Sequence, residues 1–427
     1  MFKEIFNEII TITNHDYAGC VDKEGWDRPD KYLNKIELLE KENTLDDMTF
    51  SQLVNEYLLD FNDKHIYFTV NQAYTSHNKT CGFRVKWYDD ALYVITNIEE
   101  KSLKIGDKII SIDGKTIKET SESEEKILRG SIKERQQWET LLNYAKSIEY
   151  VNGQNEIKTF TLEKYDIQKT EAIFENYLME ENIYYIKISN LTEQQKVENL
   201  LKGSIEDIKK NKNLIVDLRG NGGGNATLLS PLEPIMFAVG EKPNTELQPR
   251  LFNCTERNAD LFLKICNQVR HLEVDSNTKK MLDFAENIFK HNTGKGFVEV
   301  DFSQILETLQ KDFKGTSKPE KVIILMDEYT ASAAESFIEV CAESSKVTTV
   351  GRSTMGINDY SDLVMMEWEN KYALSYPISK LKSQSTYHST FGTGIKPDIY
   401  IKWTPEFVLK DKDIEKALEL IQQKVNS

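Results

Sequence analysis

Apolar residues along this chain fall into two rhythms that divide it into three stretches. From the start to about residue 78 the spacing is helical: Leu45–Asn62 carries Met48, Leu53, Tyr57, Leu58 and Phe61 on one face. That stretch ends in the polar turn Asn62-Asp63-Lys64-His65, ahead of the run Ile66-Tyr67-Phe68. From about Thr80 to Asp166, short runs at Gly82–Tyr88, Ala91–Ile98, Asp107–Gly114 and Ile157–Tyr165 predict strands, with turns at Gly106-Asp107 and Asp113-Gly114. From Ile167 strands and helices alternate. Strands are predicted at Ile183–Ile188, Leu214–Leu218, Val322–Met326 and Val347–Val350. Helices are predicted at Glu193–Lys209, Ala226–Phe237, Ala333–Cys341 and Lys410–Val425. This alternation implies an α/β layer with parallel pairing. Residues 241–320 are too many for a loop and carry helical patterns, so we expect an inserted helical lid. The expected units are a helical segment at 1–78, a β-rich domain at 79–167 and an α/β core at 168–427.

Composition narrows the function. At 427 residues two or three folded units are expected. A net charge of −15 argues against nucleic-acid and anionic-membrane partners, both polyanions. No run approaches the roughly 18 apolar residues of a membrane span. The N-terminal pattern carries Glu4 and Glu8 where a signal peptide would be continuously apolar, so we read it as a helix of the fold and expect a cytoplasmic protein. Five scattered cysteines without a CxxC pair predict reduced thiols rather than a disulfide framework or zinc site. No metal or cofactor is expected, and a homo-oligomer stays open.

In the β-rich stretch, Leu103–Ile117 (LKIGDKIISIDGKTI) resembles the signature of PDZ domains. The resemblance implies strand addition of an extended peptide, with Gly82 and Phe83 presenting amides to its carboxylate. The alternative is a plain β-module that binds nothing.

The candidate chemistry lies in two segments, Asn213–Thr227 (NLIVDLRGNGGGNAT) and Lys321–Ser336 (KVIILMDEYTASAAES). Each is an apolar run followed by a polar or glycine-rich turn and a helix. One offers backbone amides and the other a serine at a helix start, the two parts a nucleophile facing an oxyanion pocket needs. Ser332 through Glu335 also fits a capping box, but small residues (Ala331, Ala333, Ala334) leave the hydroxyl open, and the helix start brings the Ala333 amide beside it. The glycine turn lacks the third glycine of a dinucleotide motif, Asn225 standing there, and no GK[ST] follows. No GxSxG is present, which disfavours an α/β-hydrolase. Asp217 and Arg219 read as local structural pairing, Pro397-Asp398 as a turn, and Lys380 and Lys382 as solvated charges.

VDLRGNGGG, TASAAE, VTTVGRSTMG and GTGIKPDIYI follow one another in order after the PDZ-like stretch. Together they resemble the tail-specific, or C-terminal processing, serine peptidases and their tricorn-core relatives, over roughly residues 80 to 403. The resemblance implies a serine endopeptidase with a crotonase-like α/β core acting on peptides or unfolded proteins. It places the nucleophile at Ser332 and the oxyanion amides at Ala333 and the glycine turn, Gly223 first and Gly222 second. The processing branch draws its base from a lysine about 25 residues on, where this chain has Ile357. The tricorn-like branch uses a histidine in an Asp-x-His context, which Asp63-Lys64-His65 matches, so His65 is the expected base. The glutamate that this branch carries before its Gly-Ile-x-Pro-Asp motif is replaced by Phe391. Another carboxylate substitutes, with Asp359 and Asp362 as guesses, or His65 is held by a weaker hydrogen bond. His15, His77, His271, His291 and His388 lack the motif context, although His388 lies near the last motif. Two alternatives stay open: a non-catalytic peptide- or ligand-binding protein on the same scaffold, and a crotonase-type enzyme acting on thioesters.

Overall fold

The computed structural model describes residues 1–71, 79–97, 99, 102–129, 132–166, 171–244, 249–272, 274, 276–382 and 390–423. The chain divides into two compact units. One joins Met1–Asn71 to Ala172–Tyr400 and the chain from Ala417; the other is the β-rich stretch before Ala172 together with Ile401–Lys416. In this division the helical N-terminus goes with the larger unit and Ile401–Lys416 with the smaller one. Among the described residues no helix is long and apolar enough to cross a membrane.

In the larger unit, α1 (Phe2–Thr11), α2 (Pro29–Lys41) and α3 (Asp47–Leu58) precede β1 (Tyr67–Val70). Asp46 caps α3 by accepting the Thr49 N–H. Then come β2 (Phe174–Glu180), β3 (Ile183–Ile188), α4 (Gln194–Lys210) and β4 (Asn213–Asp217). Next are β5 (Arg250–Cys254), α5 (Glu256–Arg270), α6 (Ser276–Asn292) and β6 (Gly296–Val300). The last are β7 (Lys321–Met326), α7 (Ala333–Cys341), β8 (Val347–Gly351), β9 (Tyr360–Trp368), β10 (Tyr372–Leu381) and β11 (Ile399–Tyr400).

Two sheets organise these elements. The first runs β2-β3-β4-β7-β8-β11, parallel except for β2 at its edge. Leu214, Ile215, Val216, Val322, Ile323, Ile324 and Leu325 are fully buried, as unbroken apolar runs require in strands covered on both faces. The second runs β1-β10-β5-β6, with β9 also on β10. Around it lies an aromatic core in which Phe6, Tyr17, Phe50, Tyr57, Phe61 and Tyr372 are buried.

This second sheet corrects the expectation of a purely helical lid. Residues 241–320 do contain α5 and α6, but they also contribute β5 and β6, and Phe252 pairs with Ser379 of β10. Helical periodicity in α5 and α6 masked the short strands beside them. Ala226–Phe237 is likewise not one helix. It breaks into single turns at Ala226–Leu229 and Glu233–Met236, because Pro231 and Pro234 remove backbone donors and crowd the preceding turn.

The smaller unit contains a sheet with strand order Phe83–Tyr88, Ala91–Asn97, Lys108–Ile112, Ser147–Val151, Ile157–Thr161, and Lys115–Thr116 also pairs with the third of these. Leu92, Val94, Ile109, Ile112, Trp138, Leu142 and Ile148 form its core. Gly114 turns this chain at φ +78°, which only glycine adopts without strain.

Candidate active site

Ser332 stands between β7 and α7, at φ 53° and ψ −120°. For a residue with a β-carbon this is a strained conformation, costing about 1–3 kcal/mol and held by its surroundings. Glu335, one turn into the helix, is the main support. Its carboxylate is 1% exposed. It accepts the Ser332 N–H at 2.9 Å, the Thr354 hydroxyl at 2.5 Å, and the Gly356 and Ile357 N–H groups at 2.6 and 3.3 Å. The capping geometry seen in the sequence is present, and it also ties the serine to the turn where Ile357 replaces a lysine. Asn358 completes this link by donating to the Ser332 carbonyl at 3.0 Å and to Ser336 Oγ at 3.1 Å.

The glycine turn packs directly on the serine. A β-carbon on Gly223, at φ +91°, would lie 2.7 Å from Ser332 Cβ, 2.8 Å from the Ala331 carbonyl and 3.1 Å from the Ala333 nitrogen. Asn221, fully buried, fixes this approach. Its carbonyl accepts Ala331 N–H, its amide donates to Ile188 O, and its Oδ1 accepts Gly223 N–H at 2.9 Å. Gly223 N–H thus already has an acceptor. The N–H groups of Gly222 and Ala333 carry no hydrogen bond among the described residues.

Asp217 and Arg219 hold the turn from below, as expected. The guanidinium donates to both carboxylate oxygens at 2.9 and 2.6 Å. Burial pushes the Asp217 carboxyl up, but Arg219, Lys187 and Tyr185 together bring it down to about 2.

His65 belongs to the same unit, two residues ahead of β1. That strand pairs with β10 (Tyr67 with Ser375), so the front of the chain is registered against its rear. The ring is 5% exposed. Nδ1 lies 2.7 Å from the Tyr360 backbone carbonyl, and Nε2 has no hydrogen-bond partner among the described residues. A carbonyl can only accept, so Nδ1 carries the proton and Nε2 presents its lone pair, the tautomer a general base requires. Asp63 holds the His65 backbone N–H at 2.9 Å. His15, His271 and His291 are exposed, whereas His77 and His388 lie outside the described residues.

The position expected to carry an acid is aromatic in fact as in sequence. Phe391 stacks edge-on against Tyr360, centroids 5.9 Å apart. Of the two guesses, Asp359 is buried and accepts the Thr390 hydroxyl at 3.3 Å, while Asp362 pairs with Ser379 and Arg250. The acceptor at Nδ1 is main chain, a feature no residue type announces in a sequence. Lys380 is a correction. It is 8% exposed and holds Asp22 at 2.8 Å, because β10 turns this residue inward; Lys382 is exposed and pairs with Glu299.

In the smaller unit, Gly82 N–H donates to Thr80 Oγ1 at 3.3 Å and Phe83 pairs with Asn97. Cys81 N–H goes to Asn143 Oδ1.

Known structures share the fold. The fold of mature CPAF in complex with lactacystin matches with a TM-score of 0.59 at 13% identity, over 98% of this chain and 97% of that one. A CPAF mutant gives 0.61 at 11% identity, over 98% and 96%. The photosystem II D1 C-terminal processing protease aligns over 95% and 94% at 13% identity, with a TM-score of 0.43. No curated protein matches the sequence. The family described as peptidase family S41 matches residues 182–401, just over half of the chain. The protein belongs to peptidase family S41 and is a serine-type peptidase.

Proposed function

We propose that this peptidase cleaves internal bonds of peptides or unfolded proteins through an acyl-enzyme on Ser332, with His65 as general base. The observations that carry the reading are a strained serine at a strand–helix junction and, in the same compact unit, a buried histidine whose Nε2 has no hydrogen-bond partner among the described residues. Ser332 Oγ attacks the scissile carbonyl carbon as His65 Nε2 takes its proton. The resulting oxyanion faces Ala333 N–H and the glycine turn. Gly222 N–H is ready to donate there, while Gly223 would first have to share or release its bond to Asn221. Collapse breaks the C–N bond as the imidazolium returns the proton to the leaving amine, and water then releases the acid by the same route.

A crotonase-like description of the parallel core and a PDZ-like description of the smaller unit complete the reading. Capture of a peptide carboxylate at Gly82 and Phe83 would require Gly82 N–H to exchange its bond with Thr80. The free thiols, four of the five buried, are in keeping with a cytoplasmic location.

Labelling with a fluorophosphonate, followed by peptide mapping, tests the core claim. Modification of Ser332 is expected, with its rate falling about a thousandfold or more in His65→Ala and no labelling in Ser332→Ala. An unreactive wild type, or labelling indifferent to His65, would overturn the assignment and leave a peptide-binding protein.

A further inference from the structure

His65 is fixed by two handles, its backbone N–H on Asp63 and its ring on the Tyr360 carbonyl. One buried side chain touches both. Lys23, in the turn after α1, has a side chain only 2% exposed. Its Nζ donates to Tyr17 Oη at 2.6 Å, and Tyr17 in turn donates to Asp63 Oδ2 at 2.7 Å. Nζ also lies 3.7 Å from Asp63 Oδ2 directly. On its other side it sits over the Tyr360 ring at 4.1 Å and the Phe391 ring at 4.9 Å. Gly19 makes room for this, since any β-carbon there would meet the Tyr17 ring at 2.5 Å.

A cation this deep is costly unless its surroundings replace water. Here they do so with a carboxylate, a phenol and aromatic faces. Burial pushes the Lys23 ammonium down, while Asp63 and Asp22 pull the other way. The turn carrying His65 and the start of β9, which carries Tyr360, thus share a single anchor. Phe391, where an acid was expected, supplies one wall of it.

We propose that Lys23 is a positioning residue for His65. Through Asp63 and Tyr17 it sets the turn that bears the imidazole, and through Tyr360 it sets the carbonyl that orients the ring. The proposal rests on the reading of His65 as the base.

The test is steady-state hydrolysis of a fluorogenic peptide by full-length Lys23→Met, Lys23→Arg and Tyr17→Phe, with thermal unfolding recorded for each. Lys23→Met should lose about a hundredfold in kcat, the order reached when a reacting group is misplaced by about 1 Å. KM should stay within about twofold, because peptide binding is not touched. Lys23→Arg should recover most of the loss, since a guanidinium keeps the charge and stacks on aromatic faces. Tyr17→Phe, which removes only the relay hydroxyl, should fall between. A folded Lys23→Met with wild-type kcat overturns the proposal, as does a loss shared equally by the arginine variant. Should Lys23→Met not fold, an unchanged kcat in Tyr17→Phe overturns it instead. Failure of the base assignment is seen separately, as His65-independent labelling of the wild type.

Discussion

Ser332, the proposed nucleophile, and the aspartate beside the glycine turn illustrate how single residues set this site. Ser332 holds φ 53° only because Glu335, Asn358 and the Gly223 backbone surround it. Asp217 lies beneath that arrangement, fully buried, with its carboxyl held at about 2 against an ordinary 3.8. A carboxyl held down on folding adds stability that is complete above its ordinary value and is lost as pH falls from there through the folded one. The difference corresponds to about 2 kcal/mol. Asp217→Asn is therefore expected to cost at least about 2 kcal/mol at neutral pH, while its stability falls less than that of the wild type between about pH 4 and pH 2. Urea unfolding across that range, with the two proteins compared at each pH, checks this. Parallel pH curves would show that Asp217 is not the group responsible.

At the scale of elements, α7 acts through its first turn. Glu335 reads in the sequence as an N-terminal cap, and it is one, but three of its four bonds reach out to Thr354, Gly356 and Ile357. The turn that holds Ile357 is thus fixed to the first turn of α7. Glu335→Gln places an amide donor against backbone N–H donors and leaves at least one of them buried without an acceptor. We expect a loss of about 2–4 kcal/mol in stability and slower fluorophosphonate labelling in the folded fraction. Wild-type labelling in Glu335→Gln would mean that the turn is positioned by something else.

Across the larger unit, the segment between β4 and β7 is a strut as much as an insertion. Arg250, at the start of β5, donates to Ser379 Oγ at 3.0 Å, to the Asn358 carbonyl at 3.2 and 3.3 Å, and to the Asp359 carbonyl at 3.3 Å. Those residues flank the Tyr360 carbonyl that orients His65. Arg250→Met should cut kcat by about ten- to a hundredfold with the fold retained, through displacement of that loop. If 241–320 served only as a cover, the substitution would change KM and leave kcat intact, and single-substrate kinetics separate the two. The same scale explains the N-terminus. Phe6, Phe50, Tyr57 and Phe61 bury themselves in the core around the second sheet, and this packing holds the turn before β1 so that the His65 ring meets the Tyr360 carbonyl, far along the chain.

The serine and the glycine turn were singled out in the sequence by local rules, and His65 by the resemblance of Asp63-Lys64-His65 to a family context. A glycine is required where two backbones touch, a small-residue helix start keeps a hydroxyl open, and buried parallel strands read as unbroken apolar runs. Periodicity likewise located α4, α7 and the strands of the parallel core, though not the break within Ala226–Phe237. What the sequence could not convey was pairing between distant segments. The register of β1 on β10, the strands hidden beside α5 and α6, the main-chain acceptor at His65 Nδ1 and the inward turn of Lys23 all depend on contacts with remote partners. A backbone carbonyl is common to every residue, and a buried lysine is spelled like an exposed one. Only tertiary packing, which decides what loses its water and what replaces it, distinguishes them.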